Sequence, residues 1–98
     1  MTQVIWTISA LLFSLGMAAV VLRRQLLAML LGLELMISAV NIALVYYANL
    51  FGDAAGLSAA LLIIAVAAAE AVVGLALILK VYQSGQSADV AAVSELQG

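Results

Sequence analysis

Three long apolar stretches, almost free of charge, constrain this chain more than any other feature. They run over Val4–Leu22, Leu26–Leu50 and Leu57–Leu79 and are 19, 25 and 23 residues long. An α-helix rises about 1.5 Å per residue, so about 20 residues cross the hydrocarbon core of a bilayer. Each stretch is therefore long enough to span a membrane as a single helix.

The composition agrees with a membrane protein and not with a soluble domain. Of the 98 residues, 68% are hydrophobic and 8% are charged, which is too little charge to cover the surface of a soluble domain. The chain has no proline, so nothing forces a kink in a helix. It has no cysteine or histidine, which excludes disulfides, thiolate metal sites and imidazole chemistry. These features predict an all-α integral membrane protein with three antiparallel transmembrane helices.

We expect a three-helix transmembrane domain over residues 1–82, with helices at about 4–22, 26–50 and 57–80. A polar C-terminal tail over residues 83–98 is small and mildly acidic, and it is too short to form a core. The first apolar stretch lacks a basic segment before it and is longer than the apolar part of a signal peptide, which favours a permanent helix.

The three basic residues predict the orientation of the chain. Arg23 and Arg24 lie between the first and second helices, and Lys80 lies at the end of the third. A three-helix path brings both places to the same side of the membrane, which the positive-inside rule makes cytoplasmic. The N-terminus and Asp53, interpreted as a solvated loop charge, then face outside, and the C-terminus faces the cytoplasm.

Two glutamates interrupt the second and third apolar stretches at the same expected depth. Glu34 follows Arg24 by ten residues and Glu70 precedes Lys80 by ten residues, so each lies about 15 Å from the cytoplasmic end. That distance is about half of the hydrocarbon core, which puts both near the midplane. A charge there costs at least about 2.5–3.5 kcal/mol, and ionisable residues inside membranes commonly mark proton or ion paths.

A carboxyl group at this depth can hold a proton and release it to a neighbouring group or to water. We therefore predict that Glu34 and Glu70 form a proton relay. The alternative is a protonated glutamate that only joins helices by hydrogen bonds.

Glu34, Ser38 and Asn41 fall within about 60° of one another around the second helix, and together they form a polar stripe. The stripe could hold water next to Glu34, or it could make ordinary hydrogen bonds between helices. Arg23 and Arg24 form a basic cytoplasmic loop that either sets topology alone or also biases the entrance of the Glu34 path.

Two segments of the chain resemble a known family. GLELMISAVNIALV (Gly32–Val45) and AVAAAEAVVGLALIL (Ala65–Leu79) are similar to the two signature segments of chain K of proton-pumping NADH:quinone oxidoreductase. Chain K is the bacterial counterpart of the mitochondrial complex I 4L subunit. The paired arginines before the second helix and the ending SELQG (Ser94–Gly98) also resemble that family, and the likeness covers essentially the whole chain.

The resemblance implies a small, non-redox membrane-arm subunit of this enzyme complex, with no catalysis by the isolated chain. Glu34 and Glu70 would then belong to the proton-translocation pathway that is coupled to quinone reduction. The resemblance also implies that this chain binds no cofactor or metal, and that NADH, FMN, iron–sulfur clusters and quinone belong to partner subunits. The expected surroundings are neighbouring chains such as J, N, A and H in the bilayer of a bacterial cytoplasmic (inner) membrane, with no nucleic acid.

Two other functions stay open on the sequence. A related multisubunit sodium/proton antiporter contains a similar small three-helix chain, and the chains that co-purify would distinguish the two assemblies. A membrane scaffold without a transport role is the second alternative, and two carboxylates at matching depth argue against it.

Overall fold

The computed structural model describes residues 1–85, and nearly all of them lie in three α-helices. These are α1 (Thr2–Leu22), α2 (Leu26–Leu50) and α3 (Ala54–Gln83). Each helix is long and apolar enough to cross a membrane, which confirms the predicted all-α, three-helix membrane fold. The predicted tail lies outside the described residues from residue 86 onward, as does the SELQG ending.

The middle helix of the sequence is also the middle helix of the structure. α2 packs against α1 on one side and α3 on the other, and the helices form a layer with extents of 51 × 24 × 18 Å. The interior of this layer consists mainly of small side chains, of which Ala39, Ala48 and Ala60 are buried. Large apolar side chains such as Leu11 and Leu61 point outward, where lipid or other chains can cover them.

α1 and α2 cross where two glycines let the backbones touch. A Cβ atom added at Gly16 would lie 2.5 Å from the carbonyl oxygen of Gly32, and one added at Gly32 would lie 2.6 Å from that of Gly16. Both distances are far shorter than an ordinary contact, so neither position accepts a side chain without moving the helices. Small residues allow such close approach between membrane helices, and this pair fixes the point of crossing.

Aromatic and hydroxyl groups connect the first two turns of α1 to the last turns of α2. The Thr2 hydroxyl and the Tyr46 hydroxyl share a hydrogen bond of 2.6 Å, and the Trp6 indole N–H donates to the Tyr47 hydroxyl at 2.6 Å. The Phe51 ring stacks on Tyr47 with a centroid distance of 6.3 Å. Indole and phenol groups are favoured at a membrane interface, so this cluster marks one end of the layer as an interfacial end.

A short turn joins α2 to α3 and determines where both helices end. Gly52 has φ +65°, and the next backbone N–H, of Asp53, donates to the Ala48 carbonyl at 2.8 Å, which closes α2. The Asp53 carboxylate then accepts from the Gly56 backbone N–H at 3.2 Å and caps α3. Because of this cap, α3 begins three residues before the predicted start at residue 57, and Asp53 is a helix cap as well as a loop charge.

The crossing predicts a selective effect of adding one methyl group. Gly16→Ala should weaken the packing of α1 on α2 by about 1–3 kcal/mol, because the new Cβ meets the backbone of α2. Gly74→Ala is the matched control, because its Cβ would lie 3.1 Å from the end of the flexible Leu30 side chain, which can move. Both changes favour helix formation by up to about 1 kcal/mol, so helix propensity does not explain a difference.

The measurement is the amount of each variant chain that is recovered in membranes and in the purified complex. Equal recovery of the Gly16→Ala and Gly74→Ala chains would contradict the close backbone contact.

Candidate functional site

The contacts between α2 and α3 determine the relative height of the two glutamates. Near the interfacial end, a Cβ atom added at Gly56 would lie 2.8 Å from the Ala48 Cβ atom. Further along the same pair of helices, one added at Gly74 would lie 3.1 Å from the Leu30 Cδ1 atom. These two contacts define a single antiparallel register over most of the length of α2.

In this register Glu34 and Glu70 lie at the same level. Glu34 follows Leu30 by four residues and Glu70 precedes Gly74 by four residues, so each lies about 6 Å from that contact, in the same direction. The structure therefore brings the two carboxyl-bearing positions to one height on adjacent helices, as the spacing in the sequence predicted.

Neither glutamate is enclosed by the part of the chain that the structure describes. Glu34 is partly buried and Glu70 is exposed. Within residues 1–85, the side-chain hydrogen bonds involve only groups near the helix ends, and neither carboxylate takes part in one. The chain thus presents two carboxyl groups that are available to water or to neighbouring molecules.

Helical spacing assigns the two glutamates to different sides of the contact between α2 and α3. Glu70 lines a groove of about 310 Å³ together with Ile37 and Ile63. Ser38, which is about 40° from Glu34 around α2, lines another groove together with Ile64. Successive residues of a helix are about 100° apart, so Ile63 and Ile64 flank the line of contact and the two grooves follow its two sides.

The groove on the Glu34 side, which we name the polar groove, has a volume of about 640 Å³. Its polar lining residues are Ser38, Asn41, Tyr46 and Asn49. Asn41 is 8% exposed, and its Oδ1 atom has no hydrogen-bond partner among residues 1–85. An unpaired buried amide oxygen costs about 1–3 kcal/mol, and ordered water is its usual partner in a groove that has room for water.

The predicted stripe is therefore longer than Ser38 and Asn41. Tyr46 and Asn49 extend it toward the interfacial end, and sequence analysis did not include them. The spacing contained the signal for Asn49, since it follows Asn41 by eight residues and lies about 60° from Glu34 around the helix.

The basic loop lies apart from the two glutamates. Arg23 and Arg24 are exposed between α1 and α2, and Glu34 is about 12 Å along the axis from Leu26, the first residue of α2. Arg23 lines a further groove between the ends of α1 and α2. In the part of the chain that the structure describes, no three His, Cys, Asp or Glu residues are grouped so that they could hold a metal ion.

The fold and these positions define a class of protein, which is a multi-pass membrane protein with ionisable groups inside its spanning segments. The sequence model of the family NADH-ubiquinone/plastoquinone oxidoreductase chain 4L matches residues 4–98, and this chain belongs to that family. The match confirms the resemblance found in the sequence. The chain is thus a membrane subunit of a respiratory complex I, an NADH–quinone oxidoreductase made of several subunits.

The register that puts the glutamates at one level can be tested by disulfide formation, because the chain has no cysteine of its own. Ala48→Cys with Gly56→Cys should cross-link readily on mild oxidation in membranes. The two Cβ positions are 2.8 Å apart, and a small shift brings them to the about 3.8 Å that a disulfide needs. Ala48→Cys with Ala60→Cys is the control, displaced by one helical turn.

Cross-linked and free chains are separated by gel electrophoresis without reductant. Preferential cross-linking of the Ala48–Ala60 pair would mean that the register is wrong by about 6 Å and that the two glutamates are not level.

Proposed function

We propose that this chain contributes Glu34 and Glu70 to the proton-translocation pathway that is coupled to quinone reduction in complex I. The observation that carries the proposal is the level arrangement of two carboxyl groups on adjacent helices, inside segments that are otherwise apolar. A packing role gives no reason for two such groups to share one height while neither hydrogen-bonds to the other helix. Ionisable groups at this depth are costly, and they are typical of proton relays.

The surroundings suggest different tasks for the two glutamates. Glu34 shares its side of α2 with the polar groove, in which water held by Asn41 would accept and pass on a proton. Glu70 lies in a groove whose other lining residues are all apolar. In our proposal Glu70 therefore exchanges its proton with a group on a neighbouring subunit, and Glu34 also exchanges with water.

The proposed setting follows from the distribution of charge and from the family. The end of the layer that carries Arg23, Arg24 and Lys80 faces the cytoplasm of a bacterium, and the end with the aromatic cluster faces outside the inner membrane. Neighbouring chains such as J, N, A and H cover the layer. Those and other subunits of the complex hold NADH, FMN, the iron–sulfur clusters and quinone, and this chain moves protons only.

Removing the carboxyl group tests the relay while leaving the shape of the side chain. Glu34→Gln should lower coupled proton pumping and quinone reduction by roughly tenfold or more, since positioned proton-transfer groups contribute about 10²-fold or more. Glu70→Gln should act in the same direction. We expect the smaller effect there, because fewer polar side chains of this chain surround Glu70. Asp53→Asn is the matched control, since an asparagine can still cap α3.

The measurement is proton uptake and quinone reduction in inside-out vesicles that contain the assembled complex. An unchanged ratio of protons to electrons in Glu34→Gln would refute the role of Glu34. A requirement for sodium ions in the coupled transport would favour the antiporter alternative.

Moving the carboxyl group to another position tests whether proton pumping depends on the side of α2 that carries it. In a Glu34→Gln background, Ser38→Glu should restore part of the pumping, because it places a carboxyl group in the polar groove, about 6 Å from position 34 along the helix and on the same side. Leu33→Glu is the control, because Leu33 is closer to Glu34 in depth but lines a groove on the other side of α2 with Phe13 and Val40. Both variants must first be shown to assemble.

Proton uptake is again the measurement. Rescue by Leu33→Glu that equals or exceeds rescue by Ser38→Glu would show that the side of the helix is misassigned.

A further inference from the structure

A groove runs between the basic ends of α1 and α2, and we name it the Arg23 groove. It lies between Leu15–Leu22 of α1 and Ala28–Leu35 of α2, and its volume is about 350 Å³. Leucines form its walls, small residues such as Ala18 and Gly32 form its floor, and Arg23 is the one charged residue among the described residues that line it. The groove thus has a cationic mouth at the helix ends and an apolar shaft that extends about 10 Å toward the midplane.

The mouth of the Arg23 groove offers several groups to an anion, and within residues 1–85 it contains no acidic side chain. Arg23 and Arg24 are both exposed, and the described acidic residues lie at the other end of the chain (Asp53) or near the midplane (Glu34 and Glu70). α2 begins directly after the arginines, with no side-chain cap at Gln25 and no acidic residue in its first turn. Its first backbone N–H groups and the positive end of its dipole therefore add to the two guanidinium groups.

The size of the shaft limits what can fill it. A helix is about 10 Å wide, so it would lie over the groove and place only its side chains inside. A single hydrocarbon chain is narrow enough to enter. A molecule with a phosphate at the membrane surface and a hydrocarbon chain below it matches both the mouth and the shaft, and basic pockets between membrane helices are known to hold lipid head groups.

We propose that the Arg23 groove binds one anionic phospholipid of the bilayer. Its phosphate contacts Arg23, Arg24 and the first backbone N–H groups of α2, and one of its acyl chains fills the shaft. The lipid closes the contact between α1 and α2 on the basic side of the Gly16–Gly32 crossing. This site does not depend on proton transfer by Glu34 or Glu70.

The test uses the complete complex, reconstituted in phosphatidylcholine nanodiscs with a trace of phosphatidylglycerol that carries a photoactivatable diazirine on one acyl chain. After irradiation, mass spectrometry maps the adducts on this chain. We expect adducts within Leu15–Leu22 and Ala28–Leu35, several-fold more abundant than with a phosphatidylcholine probe that carries the same diazirine. This comparison needs no variant, so it does not depend on the assembly of one.

Two variants then test separately how the mouth and the shaft of the groove contribute to lipid binding. Arg23→Gln with Arg24→Gln should lower the adduct yield from the phosphatidylglycerol probe several-fold, because the phosphate loses its cationic partners. Ala28→Phe should lower it by filling the shaft while both arginines remain. Ala69→Phe, a change of the same size at an exposed position on α3, is the control and should leave the yield unchanged.

Equal adduct yields from the two probes would overturn the proposal, because the groove would then not recognise an anionic head group. Absence of adducts in these two ranges with either probe would show that a protein segment covers the groove. That result would also overturn the proposal.

Discussion

The arrangement of the two carboxyl groups depends on the turn between α2 and α3. Gly52 ends α2 in a backbone conformation that favours glycine, and Asp53 begins α3 in the next position. The connection is too short for the two helices to slide along each other, so Ala48 contacts Gly56. Since rigid helices keep the register that the turn sets, Glu34 and Glu70 come to one level fourteen residues further along each helix.

The three-helix layer gives α2 a different environment on each of its sides. Gly32 faces the crossing with α1, Ala48 faces α3, and Ser38 lies in the polar groove between these contacts. A closed bundle would have packed α1 on α3 and enclosed the polar side of α2. The open layer instead leaves the glutamates accessible from outside the chain, which the proposed exchange of protons with neighbouring subunits requires.

The number of helices and the relative height of the two glutamates could be predicted because both depend only on position along the chain. An apolar stretch of about 20 residues spans the membrane, and counting from Arg24 and Lys80 gives the depth of each glutamate. The order of the helices in the layer could not be predicted, because apolar and small residues occur on all sides of all three helices. The contact of Gly16 with Gly32 arises only when the helices meet, so neither glycine alone identifies it.

Local signals explain what was missed at the turn and in the polar groove. Glycine followed by aspartate is the pattern of a helix end followed by a helix start, and it could have placed the beginning of α3 at Ala54. Asn49 could have been added to the polar stripe from its spacing. The sequence could not predict on which side of the α2–α3 contact each glutamate lies, because this depends on how α3 is rotated against α2. The roles of Glu34 and Glu70 in proton transfer stay a prediction.

The separation of the two glutamates by the contact between α2 and α3 bears on how this chain works inside complex I. If both were charged and faced lipid, the cost would be at least about 5–7 kcal/mol, which is comparable to the stability of a small protein. Each must therefore be neutral or covered by another subunit, and because they lie on different sides of the contact, one helix of a neighbour cannot cover both. In the proposed relay a proton consequently enters this chain from one neighbour or from water in the polar groove, and leaves it on the opposite side. The three-helix layer would then connect two proton-carrying surfaces of the membrane arm, with the level register of α2 and α3 keeping the distance between them short.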